Sequence, residues 1–218
     1  MKVNCPMPPR IRIDLHMHSS ASSDCVVPPE RMAEAARRLG FSPVVLTDHD
    51  SIAGALRLRQ AGVPVIIGQE VTTTEGELIG LFLKETVPRD LAATESVRAI
   101  KEQGGLVYLQ HPYDRYRKHL GEDTVERIAG DIDIVEVFNA RCDDEANQLA
   151  RDLRKALGAA AGAGSDAHRV EDVGAVYVEM ESFDDAESFL RSLREARIVE
   201  RPARLALRVR NWFIGRPR

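Results

Sequence analysis

Long apolar runs and paired cysteines are missing from this sequence. No stretch of its 218 residues approaches the ~20 consecutive apolar residues that a membrane-spanning helix requires. The N-terminus, MKVNCPMPPR, lacks the apolar segment of a signal peptide, so we expect neither a leader nor a membrane anchor. The three cysteines, Cys5, Cys25 and Cys142, form no CxxC motif. Their number and spacing argue against a disulfide framework and predict a protein of the reducing cytoplasm.

Acidic residues are absent from residues 201–218, although the chain as a whole carries a net charge of -4. This last segment contains six arginines, so residues 1–200 are more acidic than the total suggests. An arginine-rich tail can contact nucleic acid or anionic lipid. Leu205, Trp212 and Phe213 equally fit a last helix that packs on an acidic body. We therefore predict one domain over residues 1–200 and an arginine-rich tail over 201–218.

Short apolar runs alternate with helical patterns along residues 1–200, which is typical of an α/β fold built from βα units. Glycines follow several of the predicted helices, as helix ends favour. The predicted strands are 11–15, 44–47, 65–67, 79–83, 106–109, 134–138, 160–164 and 175–179. The predicted helices are 29–39, 53–60, 91–103, 125–129, 145–157 and 183–196. We interpret strands 44–46 and 134–137 as barrel core without a chemical role.

Polar residues follow the C-terminal ends of most of these strands. In a (β/α) barrel those ends converge on one face, where catalytic groups are assembled. Residues far apart in sequence would therefore meet in one pocket. The residues concerned are His16, His18, Asp48, His49, Glu70, His111, Asn139, Arg141, Asp166 and His168.

The chemistry of these residues fits a transition-metal site. Alternate side chains of an extended segment point the same way, so His16 and His18 can reach one ion together, as can Asp166 and His168. Imidazole with carboxylate suits Zn, Mn or Fe. The donors exceed what one ion requires, which predicts two or three ions bridged by a carboxylate such as Glu70. Each motif alone also fits a structural role, such as a helix cap after His49.

The motifs together resemble the PHP (polymerase and histidinol phosphatase) superfamily of metal-dependent phosphoesterases, and in particular its small stand-alone members. The matching segments are Asp14-Leu-His16-Met-His18-Ser, Ser23-Asp24, Leu46-Thr-Asp-His49-Asp, Gly68-Gln-Glu70, Gln110-His111-Pro112 and Gly164-Ser-Asp166-Ala-His168. The resemblance implies a distorted (β/α)7 TIM-like barrel, a single domain with its metal site at the C-terminal ends of the strands.

The resemblance also implies which residues bind the ions. His16, His18, Glu70 and Asp166 would hold the first ion. Asp24, His49 and His168 would hold the second. Glu70 and His111 would hold a third, which Cys142 or Asn139 could complete. The expected cofactors are thus two or three divalent ions of Zn, Mn or Fe.

The predicted function is hydrolysis of a phosphate ester by a metal-bridging hydroxide. Arginine suits phosphate contact, so Arg141 is the first candidate for substrate binding, beside Arg169 and Arg117. Asp48 or His18 could assist proton transfer. The favoured substrate is a small metabolite or a nucleotide, and a nuclease that trims oligonucleotide ends is the alternative. A non-catalytic metal-binding regulatory subunit is the rival from another class. The sequence identifies no protein partner.

Overall fold

The computed structural model describes residues 10–201. Cys5 and most of the predicted tail therefore lie outside the described residues. The strands are β1 (Arg10–Ile13), β2 (Val44–Leu46), β3 (Val65–Thr73), β4 (Gly76–Leu81), β5 (Leu106–Leu109), β6 (Ile134–Asn139), β7 (Ala160–Gly164), β8 (Val176–Glu181) and β9 (Arg197–Glu200). The α-helices are α1 (Pro29–Arg38), α2 (Ala53–Gln60), α3 (Ala93–Glu102), α4 (Glu122–Ile128), α5 (Asp144–Leu157) and α6 (Ala186–Arg194). A 3-10 turn, Ala129–Asp131, follows α4.

Six strands form a curled half-barrel sheet in the order β2-β3-β4-β5-β6-β7. Most neighbours in it are parallel, but β4 runs antiparallel to both β3 and β5. The reason is a tight hairpin in which Thr73 pairs with Gly76. The predicted strands 65–67 and 79–83 thus follow one another without a helix, so the pattern of βα units is interrupted at this point. The chain crosses from β3 to β5 through an antiparallel strand.

A second, smaller sheet contains three antiparallel strands in the order β1-β8-β9. Beyond β1, residues 14–18 run between the two edges of the large sheet. Leu15 N donates to Ala163 O at 3.3 Å on one side, and Thr47 N donates to Met17 O at 2.9 Å on the other. Asp166 N also donates to His16 O at 2.8 Å, and His18 N donates to Ala167 O at 2.9 Å. A complete (β/α)7 barrel is not confirmed, because β1 and β8 belong to the smaller sheet and β4 runs antiparallel within the large one.

Both faces of the large sheet are covered. Every residue of β2 and β5 is buried, as expected when helices pack outside a sheet and side chains fill its concave face. α5 begins where the Asp143 carboxylate accepts a hydrogen bond from Ala146 N, and it ends at Gly158, whose φ of 64° suits glycine. None of the helices within residues 10–201 combines the length and the apolar character needed to cross a membrane.

Candidate metal centre

The fold brings all eight predicted metal ligands to one end of the half-barrel. They form overlapping groups in which one donor atom from each of three residues lies within 4.8 Å of the others. Most of these side chains are buried, and Asp24 is the exposed exception. The groups include His16 with His18 and Glu70, His16 with His111 and Asp166, His18 with Asp166 and His168, and His18 with Asp24 and His49.

Glu70 occupies the middle of the cluster. Its Oε2 lies 3.2 Å from His16 Nε2 and 3.6 Å from His49 Nε2. Its Oε1 lies 3.4 Å from His111 Nε2 and accepts a hydrogen bond from Gln110 Nε2 at 3.1 Å. The two oxygens thus face different histidines. This arrangement suits a carboxylate that bridges neighbouring ions.

Asp24 and Asp166 flank Glu70 on the side of His168. Asp24 Oδ2 lies 2.8 Å from His168 Nε2 and 3.6 Å from His49 Nε2. Asp166 Oδ1 lies 3.4 Å from His18 Nε2 and 3.9 Å from His16 Nε2. Each carboxylate therefore has at least two imidazoles within reach.

An unusual backbone conformation accompanies the close approach of Asp166 to His16 and His18. Asp166 has a φ of 53°, in the left-handed region that non-glycine residues seldom adopt. Two residues earlier, a Cβ at Gly164 would collide with the Cβ of His16. Glycine at 164 therefore lets the end of β7 lie against His16. Unusual backbone of this kind is concentrated at functional sites.

In His16 and His18 the ring nitrogen Nδ1 has a hydrogen-bonding partner outside the donor cluster, which leaves the inner nitrogen, Nε2, free for a cation. His16 Nδ1 lies 3.1 Å from Glu136 Oε1, and His18 Nδ1 lies 3.3 Å from Ser22 Oγ. When Nδ1 carries the proton for these contacts, Nε2 is a bare lone pair. The Nε2 atoms of His16 and His18 then face one another at 3.1 Å, with the Glu70 carboxylate beside both. Such a donor set fits one or more metal ions.

The electrostatics of the pocket also favour positive charge. Burial disfavours the protonated form of His16, but the charges of Glu136 and Glu70 outweigh burial and raise the pKa of His16 to about 9. Burial likewise opposes ionisation of Glu70, yet the neighbouring histidines hold its pKa well below the usual range. A metal ion would supply the same positive charge without a proton.

Glu136 is a functional residue that the sequence analysis missed, because β6 was interpreted as core without a chemical role. Its buried carboxylate contacts His16 Nδ1, and it also accepts hydrogen bonds from Tyr108 Oη at 3.0 Å and from His111 N at 2.9 Å. Asn139 Nδ2 adds a fourth contact at 2.9 Å. An acidic residue within an apolar strand was the available signal. The prediction for 134–137 is corrected accordingly.

Glu136→Gln is expected to weaken metal binding by roughly 10–100-fold, the usual cost of removing a carboxylate behind a metal-binding histidine. The neutral amide is a weaker acceptor than the carboxylate, so it fixes the proton of His16 on Nδ1 less firmly. Competition with a chromophoric chelator measures the affinity, and circular dichroism checks the fold. Tyr108→Phe, which removes only one donor to Glu136, should have a smaller effect. Equal affinities in Glu136→Gln and the wild type would refute this role.

Cys142 belongs to none of the groups of His, Cys, Asp and Glu donors within residues 10–201, and Asn139 contacts carboxylates of the cluster. Asn139 Nδ2 points to Glu136 and to Asp166 Oδ2, so it supports two carboxylates. Cys142 Sγ lies 3.2 Å from Asp114 Oδ2, and burial raises the pKa of its thiol well above the usual range.

The predicted catalytic and substrate-binding residues have different surroundings. Asp48 accepts hydrogen bonds from Ser19 N at 2.5 Å and Ser19 Oγ at 2.8 Å, and burial raises its pKa to about 6. Arg141 Nη1 lies 3.4 Å from Asp166 Oδ1 and 3.0 Å from His168 Nδ1. The Arg117 guanidinium contacts Asp166 and Asp114, whereas Arg169 is exposed. Thus Arg141 and Arg117 reach the metal-ligand cluster, and Asp48 instead holds the segment beside His18.

Comparison with known proteins gives consistent results. The PHP domain family matches residues 14–163, and a PHP-associated family matches residues 144–198. An uncharacterized protein of Methanocaldococcus jannaschii is 40% identical over 144 residues, which cover 60% of this chain and 82% of that protein.

Two solved structures share the fold at low sequence identity. A two-domain protein of Bacteroides vulgatus, described as containing a predicted PHP-like metal-dependent phosphoesterase, matches with a TM-score of 0.73 and 17% identity. The match covers 88% of this chain and 65% of that one. The lesion-specific endonuclease PfuEndoQ of Pyrococcus furiosus matches with a TM-score of 0.62 and 18% identity, over 87% of this chain and 58% of the endonuclease.

The PHP domain match covers most of the chain and includes six of the eight converging donors, while Asp166 and His168 lie in the segment that the PHP-associated family matches. It confirms the resemblance that the motifs indicated. The chain belongs to the PHP domain family.

Proposed function

We propose that this protein hydrolyses a phosphate ester in a metal-dependent reaction, with a small metabolite or a nucleotide as substrate. The observation that carries the proposal is the convergence of the Nε2 atoms of three histidines on the Glu70 carboxylate. Such a pocket suits metal cations, and clustered divalent ions suit phosphate chemistry. Family membership supports the reaction class. The identity of the substrate is part of the proposal and does not follow from family membership.

The candidate ligands are assigned to ions in three sets. His16, His18, Glu70 and Asp166 would hold one ion; Asp24, His49 and His168 a second; and Glu70 with His111 a third. When bound, these ions would lower the pKa of a water molecule and stabilise negative charge on the phosphoryl oxygens. With an ion bound, Glu136 would accept the Nδ1 proton of His16 and Ser22 could do the same for His18, which would leave each Nε2 as the metal-binding nitrogen.

Arg141 is proposed to bind the substrate phosphate. Its side chain is 30% exposed, so the guanidinium can be approached from solvent while it stays beside Asp166 and His168. Its long contact with Asp166 leaves donors available for a phosphate oxygen. Arg117 and Arg169 stay candidates for the same role. Arg117 is already engaged with Asp114, and Arg169 would have to turn inward from an exposed position.

Proton transfer by His18 or Asp48 stays a prediction, and the contacts favour other roles for both residues. The His18 Nε2 lone pair faces Glu70 and Asp166, as a metal ligand would. The Asp48 carboxylate is occupied by Ser19. We therefore assign Asp48 to shaping the loop that carries His18.

A nuclease is the second candidate function. The fold shared with PfuEndoQ supports it, since that protein is a lesion-specific endonuclease. The arginines of residues 201–218 would add electrostatic attraction to a nucleic acid. A nuclease of this kind would bind its substrate with a steep dependence on salt concentration.

Hydrolysis of a matched monoester and diester of one chromogenic phenol tests these functions, with Mn and Zn supplied separately. We expect turnover of the monoester, and Arg141→Gln should raise its KM by roughly tenfold or more, as loss of a charge-assisted contact worth about 1.5–3 kcal/mol implies. Preference for the diester would favour the nuclease. If a metal-loaded protein cleaves neither the chromogenic esters nor a panel of nucleotides and oligonucleotides, the non-catalytic subunit becomes the better account.

A further inference from the structure

A buried carboxylate lies next to the predicted ligands without being one of them. Glu77 lies on β4, and its exposed fraction is only 8%. In the β3–β4 ladder Glu77 pairs with Thr72, and Glu70 pairs with Ile79. Glu70 and Thr72 are two residues apart on one strand, so their side chains share a face, and residues paired across strands also share a face. Glu77 and Glu70 are therefore diagonal neighbours on the same side of the sheet.

The donor atoms of Glu77, Glu70 and His49 form one compact group. One atom from each lies within 4.8 Å of the other two. His49 is held in place by its backbone, because Asp50 N donates to Glu70 O at 2.9 Å and Glu70 N donates to Asp48 O at 3.1 Å. The three side chains thus project from a rigid junction between the end of β2 and the β3–β4 hairpin.

Glu77 has little hydrogen bonding to compensate its burial. Its one described side-chain hydrogen bond, from Thr72 Oγ1, is 3.5 Å long. Two buried carboxylates beside each other repel unless a cation or a proton lies between them. An imidazole nitrogen completes the group, so the donors available to a cation are two carboxylates and one nitrogen.

We propose that Glu77 is a metal ligand, which together with Glu70 and His49 forms an oxygen-rich position on the hairpin side of the cluster; this position is that of the ion assigned above to Asp24, His49 and His168, since a ring nitrogen of His49 binds one ion. This inference rests on the proposed metal-dependent function and adds a residue to its site. Carboxylate oxygens favour Mn²⁺ over softer ions, whereas the histidine-rich position around His16 and His18 suits Zn²⁺. The cluster is therefore built for ions of two kinds, and Glu77 sets the preference of the position that favours Mn²⁺.

The test measures binding of Mn²⁺ and Zn²⁺ to the full chain after chelation, by titration calorimetry and by metal analysis after dialysis. Glu77→Gln keeps the shape of the side chain and removes its charge. We expect it to weaken one class of Mn²⁺ binding at least tenfold and to leave the tightest Zn²⁺ binding within about twofold. Glu77→His should instead raise Zn²⁺ occupancy relative to Mn²⁺. Glu85→Gln, an exposed change just after β4, is the matched control and should alter neither.

Unchanged Mn²⁺ affinity and stoichiometry in both Glu77 variants would overturn the proposal. That result, together with a more stable Glu77→Gln protein, would mean that a proton rather than a metal lies between Glu77 and Glu70. If one variant fails to fold, as judged by circular dichroism, the other decides. The outcome is separable from the proposed function, since metal binding is read without hydrolysis, and a wild type that binds no metal refutes both.

Discussion

Removal of bound metal is expected to lower the unfolding temperature by about 10 °C and to abolish hydrolysis. The centre holds Glu70, Asp166, His16 and His18 within a few ångströms of one another in a buried pocket. An ion at ~1,000 times its dissociation constant stabilises the folded state by about 4 kcal/mol. For a chain of this length each kcal/mol shifts the midpoint by roughly 2–4 °C. Thermal unfolding of the metal-loaded protein, with and without a chelator, measures the shift.

The control for this experiment is reversal. Adding Mn²⁺ or Zn²⁺ back in excess of the chelator should restore both the midpoint and the activity. A chelator that leaves the midpoint and the hydrolysis rate unchanged, when metal analysis shows that the ions have gone, would contradict a catalytic metal centre.

Asp166→Asn is expected to reduce hydrolysis by at least about 10³-fold while the fold persists. Loss of a residue behind a metal ligand already costs 10–100-fold, and Asp166 is proposed to bind metal directly. Its carboxylate lies between His16 and His18 on one side and Arg117 and Arg141 on the other. Asparagine keeps the shape but loses the charge that both sets of neighbours require.

Turnover rates and circular dichroism of purified Asp166→Asn provide the measurement. Asp184→Asn, an exposed change before α6, is the matched control and should retain wild-type rates. Hydrolysis by Asp166→Asn at more than a tenth of the wild-type rate would show that the reaction takes place elsewhere.

The sequence predicted where the donors meet because strand ends converge in α/β folds whatever their exact closure. His16, Glu70 and Asp166 each follow a short apolar run, and that placement alone brings them together. How the strands close around the site was not predictable from the sequence. Glu70 and Thr72 look like loop residues in the sequence, yet they extend β3 because β4 pairs with them as a hairpin. Polar residues that face a metal pocket remove the apolar pattern that identifies a strand.

Residues that support the ligands were the least predictable. Glu136 stands alone among apolar neighbours, and Glu77 directly follows the polar segment Thr74-Glu75-Gly76. In both settings an acidic residue more often faces solvent. Only the register of β3 with β4, and the approach of β6 to His16, reveal that both carboxylates turn inward. Cys142 illustrates the reverse case. Its position after β6 suggested a ligand, but its thiol turns toward Asp114.

The central claim is that several ions bind together at the strand ends and carry out the reaction. Counting them tests it most directly, by metal analysis of the protein after stepwise reconstitution, with hydrolysis recorded at each step. The account predicts about two or three ions per chain, with activity appearing as the second ion binds. Full activity with one ion per chain, or with none, would contradict it.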